Sequence, residues 1–173
     1  MNYARRYEWV LSIYATARGF GFVLFEGTQP FDWGIKEVRG EDRNESCLQN
    51  IAGLLEQYEP QALVLRGISD TATRRAKRIR KLNAAMEALA EARGIPVFVY
   101  SRVQIRQCFG HLGSATKHAI AEAIATHIPA FERYLPPVRT AWMNEDARMA
   151  LFDAVSLALV FFQIEGGRRQ LVA

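Results

Sequence analysis

The chain has 173 residues, is half hydrophobic and carries a formal charge of +4. That size and apolar content suit one domain with a full core and exclude a disordered chain. Two separated cysteines, Cys47 and Cys108, form no CxxC pair, which argues against a zinc site or a disulfide framework.

The N-terminal residues are charged and show no apolar signal region, and the most apolar stretch is interrupted by Asp153. It is too short to cross a bilayer, so the expectation is a cytoplasmic protein without a membrane partner. The positive balance leans mildly towards an acidic partner such as nucleic acid.

Residues 9–15, rich in Val, Leu and Ile, predict a strand, and ARGFG a turn. The alternating FGFVLFE predicts its hairpin partner, and residues 31–39 a third strand. Leu48, Ile51, Leu54, Leu55 and Tyr58 recur at helical spacing before Pro60. A short buried strand, ALVLRG, leads to a long helix over Thr71 to Arg93, closed by Gly94. IPVFVYS predicts a fifth strand, followed by two short helices split by GHLGS. After a proline-containing loop, Asn144 is placed to cap a last helix that runs to about Gln163. The implied fold is α/β: a mixed five-stranded sheet with a three-stranded antiparallel start, then parallel strands, and helices on both faces. One domain covers 1–165, with 166–173 as a flexible tail.

This order resembles ribonuclease-H-like folds, and three segments narrow the likeness. QIRQCFGHLGSATKHAIAEAIA, residues 104–125, is similar to a stretch of RuvC-type Holliday-junction resolvases, with Gly110, Gly113, Ala115 and Lys117 on its spacing. LFDAVSLALV resembles that family's last helix, with Asp153 on its terminal metal-ligand aspartate. LSIYATARGFGF resembles its opening strand and turn. The resemblance implies a DNA-cutting homodimer using two Mg or Mn ions, and a lysine at Lys117 near the scissile phosphate. Two cations about 4 Å apart need several hard oxygen ligands to balance them.

The sequence departs from that ligand set. Tyr14 stands where the first-strand aspartate belongs, Arg66 where the fourth-strand carboxylate belongs, and Ala150 where a second helix carboxylate belongs. Asp146, two helical turns before Asp153, would lie about 10 Å from it along a helix. Asp146 and Glu145 also suit a first helical turn, where carboxylates favour the dipole. Asp70 suits an N-cap, with Ser69 or Thr71 competing, and Glu26 lies about 20 Å away along its strand. Arg66 cannot ligate a cation. Either it pairs with Asp153 in place of a metal, or it points to solvent.

Residues 74–81 hold six cations and no carboxylate. Arg74, Lys77, Arg78 and Lys81 form one stripe, suited to phosphates or to a solvated helix face. Arg75 lies near the apolar face and could enter the same cleft as Arg66. Lys117, at a helix start, suits phosphate binding. His111 and His118 receive no role, and Trp142, in a loop after two prolines, could stack on a base.

Three functional readings follow. The first is a RuvC-like protein that binds branched or duplex DNA and has a degenerate metal site at Tyr14 and Arg66, needing no cofactor. The second is an active Mg- or Mn-dependent endonuclease rebuilt around Asp153, Asp146, Lys117 and Asp70. The third is a protein-binding adaptor that keeps the fold.

Overall fold

In the computed structural model the described residues are 7–69, 73–112 and 116–166. Asp70, Thr71, Gly113, Ala115 and the tail from residue 167 lie outside them.

Strands β1 (Trp9–Ala15), β2 (Gly19–Glu26) and β3 (Gln29–Glu37) make an antiparallel meander. Then come α1 (Arg43–Tyr58), β4 (Ala62–Arg66), α2 (Arg74–Ala92) and β5 (Val97–Tyr100). α3 (Arg102–Cys108), α4 (Lys117–His127) and α5 (Met149–Glu165) complete the order, with 3₁₀ turns at Gly110–Leu112 and Pro129–Tyr134. The sheet runs β3-β2-β1-β4-β5, with β4 parallel to both β1 and β5. This is the expected mixed five-stranded α/β fold.

β1 and β4 are central strands, so both of their faces must be covered. Leu11, Ile13, Leu63 and Leu65 pack under α1 and α2. Val10, Tyr14, Ala62 and Val64 face the side of α3, α4 and α5. The two-residue period of a strand thereby aims Tyr14 at α5. Helix α5 is buried from Met149 to Phe161, which explains why its sequence is apolar all round. Two contacts set its depth. The Ser12 hydroxyl donates to the Ala154 carbonyl at 2.7 Å. At Gly21, a Cβ would lie 2.1 Å from the Ala150 carbonyl oxygen, so only glycine lets the helix approach this closely.

Two local expectations are corrected. Helix α2 starts at Arg74, and its cap is Thr73, whose hydroxyl accepts from the Ala76 N–H at 3.0 Å. Asn144 does not cap the last helix, which starts at Met149 without a side-chain cap. Asp146 accepts instead from the backbone N–H of Arg148 at 2.9 Å. That local bond offers the backbone an alternative to helix.

Candidate functional site

Parallel pairing puts Ile13 beside Leu65, so Tyr14, next to last in β1, and Arg66, last in β4, lie at the ends of neighbouring strands on the same face of the sheet. Asp153 reaches this corner from α5 and is only 8% exposed. Lys117 reaches it from the first residue of α4, whose N-cap Thr116 accepts from the Ala119 N–H. Glu145 comes from the loop before α5.

The Lys117 ammonium lies between two carboxylates, 2.8 Å from Glu145 Oε1 and 3.0 Å from Asp153 Oδ2. It also sits 5.4 Å from the Tyr14 ring centroid, within cation–π range. A lysine at a helix N-terminus opposes the helix dipole, and the two carboxylates offset this. Burial alone pushes the Lys117 pKa down, but Asp153, Tyr14 and Glu145 outweigh it, and the ammonium is held above the ordinary lysine value. Burial is also the larger influence on Asp153 and raises its carboxyl; Lys117 pulls it back without cancelling the rise. Tyr14 is raised by burial and by Asp153.

Arg66 does not form the Asp153 ion pair expected as one of two possibilities. Its guanidinium lies over the Tyr14 ring at 4.4 Å and donates to the Ala15 carbonyl at 3.1 Å. Among the described residues it has no ion-pair partner. Lys117 fills the role instead, because its flexible stem reaches inward from α4 while the Arg66 guanidinium is held over the Tyr14 ring. The field of Arg66 still lowers the cost of charge on Asp153, as the smallest of several influences.

Asp146 is not on the last helix and not in its first turn. Its carboxylate binds the Arg148 guanidinium through both oxygens, at 2.9 and 2.7 Å, and its pKa is lowered first by that bond. Glu145 was assigned only a helix-dipole role from sequence, and the structure places it at the Lys117 ammonium. The signal that could have found it is adjacency: a carboxylate in the loop leading straight into the helix that carries Asp153. Glu26 pairs with Trp9, at the far end of β1 from Tyr14.

Among the described residues, the donor set does not fit a pair of divalent cations. The described residues contain no group of three or more His, Cys, Asp or Glu side chains able to hold a metal ion. The two carboxylates that do converge share an ammonium, and their neighbours Tyr14 and Arg66 supply no hard anionic oxygen at neutral pH.

The basic stripe divides. Arg74, Lys77 and Lys81 are exposed. Arg78 is half-buried and donates to the Thr16 carbonyl at 2.5 Å and to Asn44 Oδ1 at 3.0 Å, tying α2 to the β1–β2 turn and to α1. Arg75 lines a cleft of about 270 Å³ with Arg18, Lys36, Asn144 and Glu145. His118 pairs with Glu122 one turn along α4 at 3.1 Å.

No protein-family model matches the sequence, and no curated protein is significantly similar to it. Solved structures are similar in fold. RuvC of Thermus thermophilus bound to a Holliday junction substrate superposes with a TM-score of 0.67 at 16% identity, over 88% of this chain and 92% of that one. A second Thermus thermophilus RuvC structure gives 0.64 at 17% identity, over 91% and 96%. The yeast mitochondrial Holliday junction resolvase gives 0.58 at 14%, over 94% and 79%. The chain therefore has the RuvC-like, ribonuclease-H-like fold. Among the described residues, no helix is long and apolar enough to cross a membrane.

Proposed function

We propose that this protein binds branched or duplex DNA on a RuvC-like scaffold and does not cut it, because the Lys117 ammonium has replaced the metal ions. One observation carries this reading: a single ammonium bonded to both Asp153 and Glu145 at the corner where the strands of Tyr14 and Arg66 end. A buried carboxylate needs a cation, and here the chain supplies its own. DNA as the partner is drawn from the structural neighbours, one of which is seen with a Holliday junction, and from exposed Arg74, Lys77 and Lys81. The family resemblance of the sequence motivates a homodimer as part of the proposal.

A second reading has one observation in its favour. Two carboxylates already converge, so a divalent ion that displaced Lys117 would give an active endonuclease.

The test is binding to a four-way junction in EDTA, and cleavage with Mg²⁺ or Mn²⁺ beside Asp153→Asn. Binding that weakens steeply with salt, without cleavage, supports the proposal, since phosphate contacts release counterions. Metal-dependent cleavage lost in Asp153→Asn overturns it in favour of the second reading. Absence of DNA binding leaves an adaptor that keeps the fold.

A further inference from the structure

The loop before α5 presents an aromatic side chain for which the fold has no use. Trp142 is 74% exposed, and Val138 and Met143 beside it are 68% and 46% exposed. Trp9 and Trp33, by contrast, are partly covered and stack edge-on against Phe31 and Phe131. The segment that carries Trp142 is held at two points. The Met143 N–H donates to the Thr140 carbonyl at 3.1 Å, closing a turn. Arg139 Nε donates to the Met143 carbonyl at 2.6 Å, bracing the same turn. Trp142 is thus the third residue of a braced turn and stands outward in water.

What lies next to it indicates what it meets. Asn144, two residues further on, lines the cleft that also holds Arg18, Lys36 and Arg75. Glu37, Glu145 and Asp146 line the same cleft, but each has a cation of its own, Arg18 at 3.9 Å, Lys117 at 2.8 Å and Arg148 at 2.7 Å, whereas Lys36 and Arg75 form no ion pair among the described residues. An outward indole beside uncommitted cations is the pairing that holds a single strand: cations follow phosphates, and the ring takes the face of an unpaired base.

Building on the DNA-binding proposal, we infer that Trp142 stacks on an unpaired base while the adjacent cleft, through Lys36 and Arg75, holds the neighbouring phosphate. The site takes single-stranded or locally opened DNA, and paired bases in a closed duplex do not reach it. Stacking tolerates any base, so the site selects strand opening and not sequence.

The experiment compares a short oligothymidylate with a blunt duplex of equal length. Trp142→Ala should weaken single-strand binding about tenfold and leave duplex binding unchanged. That loss should persist at high salt, because stacking releases few counterions, while Arg75→Ala should reduce the salt slope. Trp142→Phe should keep most of the affinity, and oligothymidylate should quench the fluorescence of the parent but much less that of Trp142→Phe. Equal binding of Trp142→Ala and the parent to single strands would overturn the inference and point to a protein on this loop. Equal losses on single strand and duplex would overturn it too. In both cases salt-dependent binding to duplex or to a four-way junction would leave the broader reading standing, whereas a parent that binds none of the three DNAs overturns both.

Discussion

Replacing Lys117 with methionine keeps the length of the side chain and removes its charge. The Asp153 side chain is 11% exposed and that of Lys117 25%, so the variant strands a nearly buried carboxylate beside Glu145. Breaking a fully buried pair costs roughly 3–5 kcal/mol; with a quarter of the lysine in solvent, about 2–3 kcal/mol is expected here. The deficit should depend on pH. Asp153 already titrates above the ordinary carboxylate range because of burial, and loss of Lys117 removes the influence that holds it down. A carboxyl raised in the folded state binds its proton more tightly there than when unfolded. Its stability contribution is then lost as pH climbs from the unfolded value through the folded one. The variant should therefore be weakest at neutral pH, and its deficit should shrink as pH falls towards the ordinary carboxylate value of about 4, where Asp153 is protonated in the fold. Urea unfolding at both pH values measures this. Added Mn²⁺ should stabilise the variant, whose paired carboxylates are free, and leave the parent unchanged. A neutral-pH deficit under about 1 kcal/mol, or one that is the same at both pH values, would refute the claim that this ammonium sustains a buried carboxylate.

Other perturbations probe the scaffold around the corner. Gly21→Ala should cost about 3 kcal/mol in urea unfolding, since its Cβ would press on the Ala150 backbone and α5 would have to retreat. Tyr100→Phe should gain about 1 kcal/mol in thermal unfolding, because the buried Tyr100 hydroxyl has no hydrogen-bond partner among the described residues. Arg78→Ala should lose about 2 kcal/mol with its bonds to Thr16 and Asn44, while Lys77→Ala and Lys81→Ala stay within about 0.5 kcal/mol of the parent. The lysine variants should show their effect in the salt slope of DNA binding instead.

The lysine result bears on how a charge run is read. On a helical wheel Arg74, Lys77, Arg78 and Lys81 are equivalent, since spacing places them on one stripe. In the fold Arg78 faces α1 and the β1–β2 turn, and its charge is spent on a carbonyl and an amide. Spacing gives the stripe but not what stands opposite each member.

The sequence by itself determined the sheet. Alternation in residues 9–26 fixed a hairpin, apolar runs fixed the central strands, and the apolar stretch up to Gln163 marked a last helix. Tyr14, Arg66 and Ala150 could be read as departures because each is a residue type at a position, and position along a strand sets the face. Only the tertiary structure decided which cation meets Asp153. Arg66 and Lys117 are 51 residues apart, and both arrive at one corner through elements that pack independently. Contact with the Tyr14 ring drew the guanidinium aside, and the start of α4 brought the ammonium in. Glu145 became a partner because the chain before α5 is a turn held by Asp146 and Arg148 and not a helical turn. Local pattern specifies elements, but a charge meets its partner across elements, where distance in the sequence carries no information.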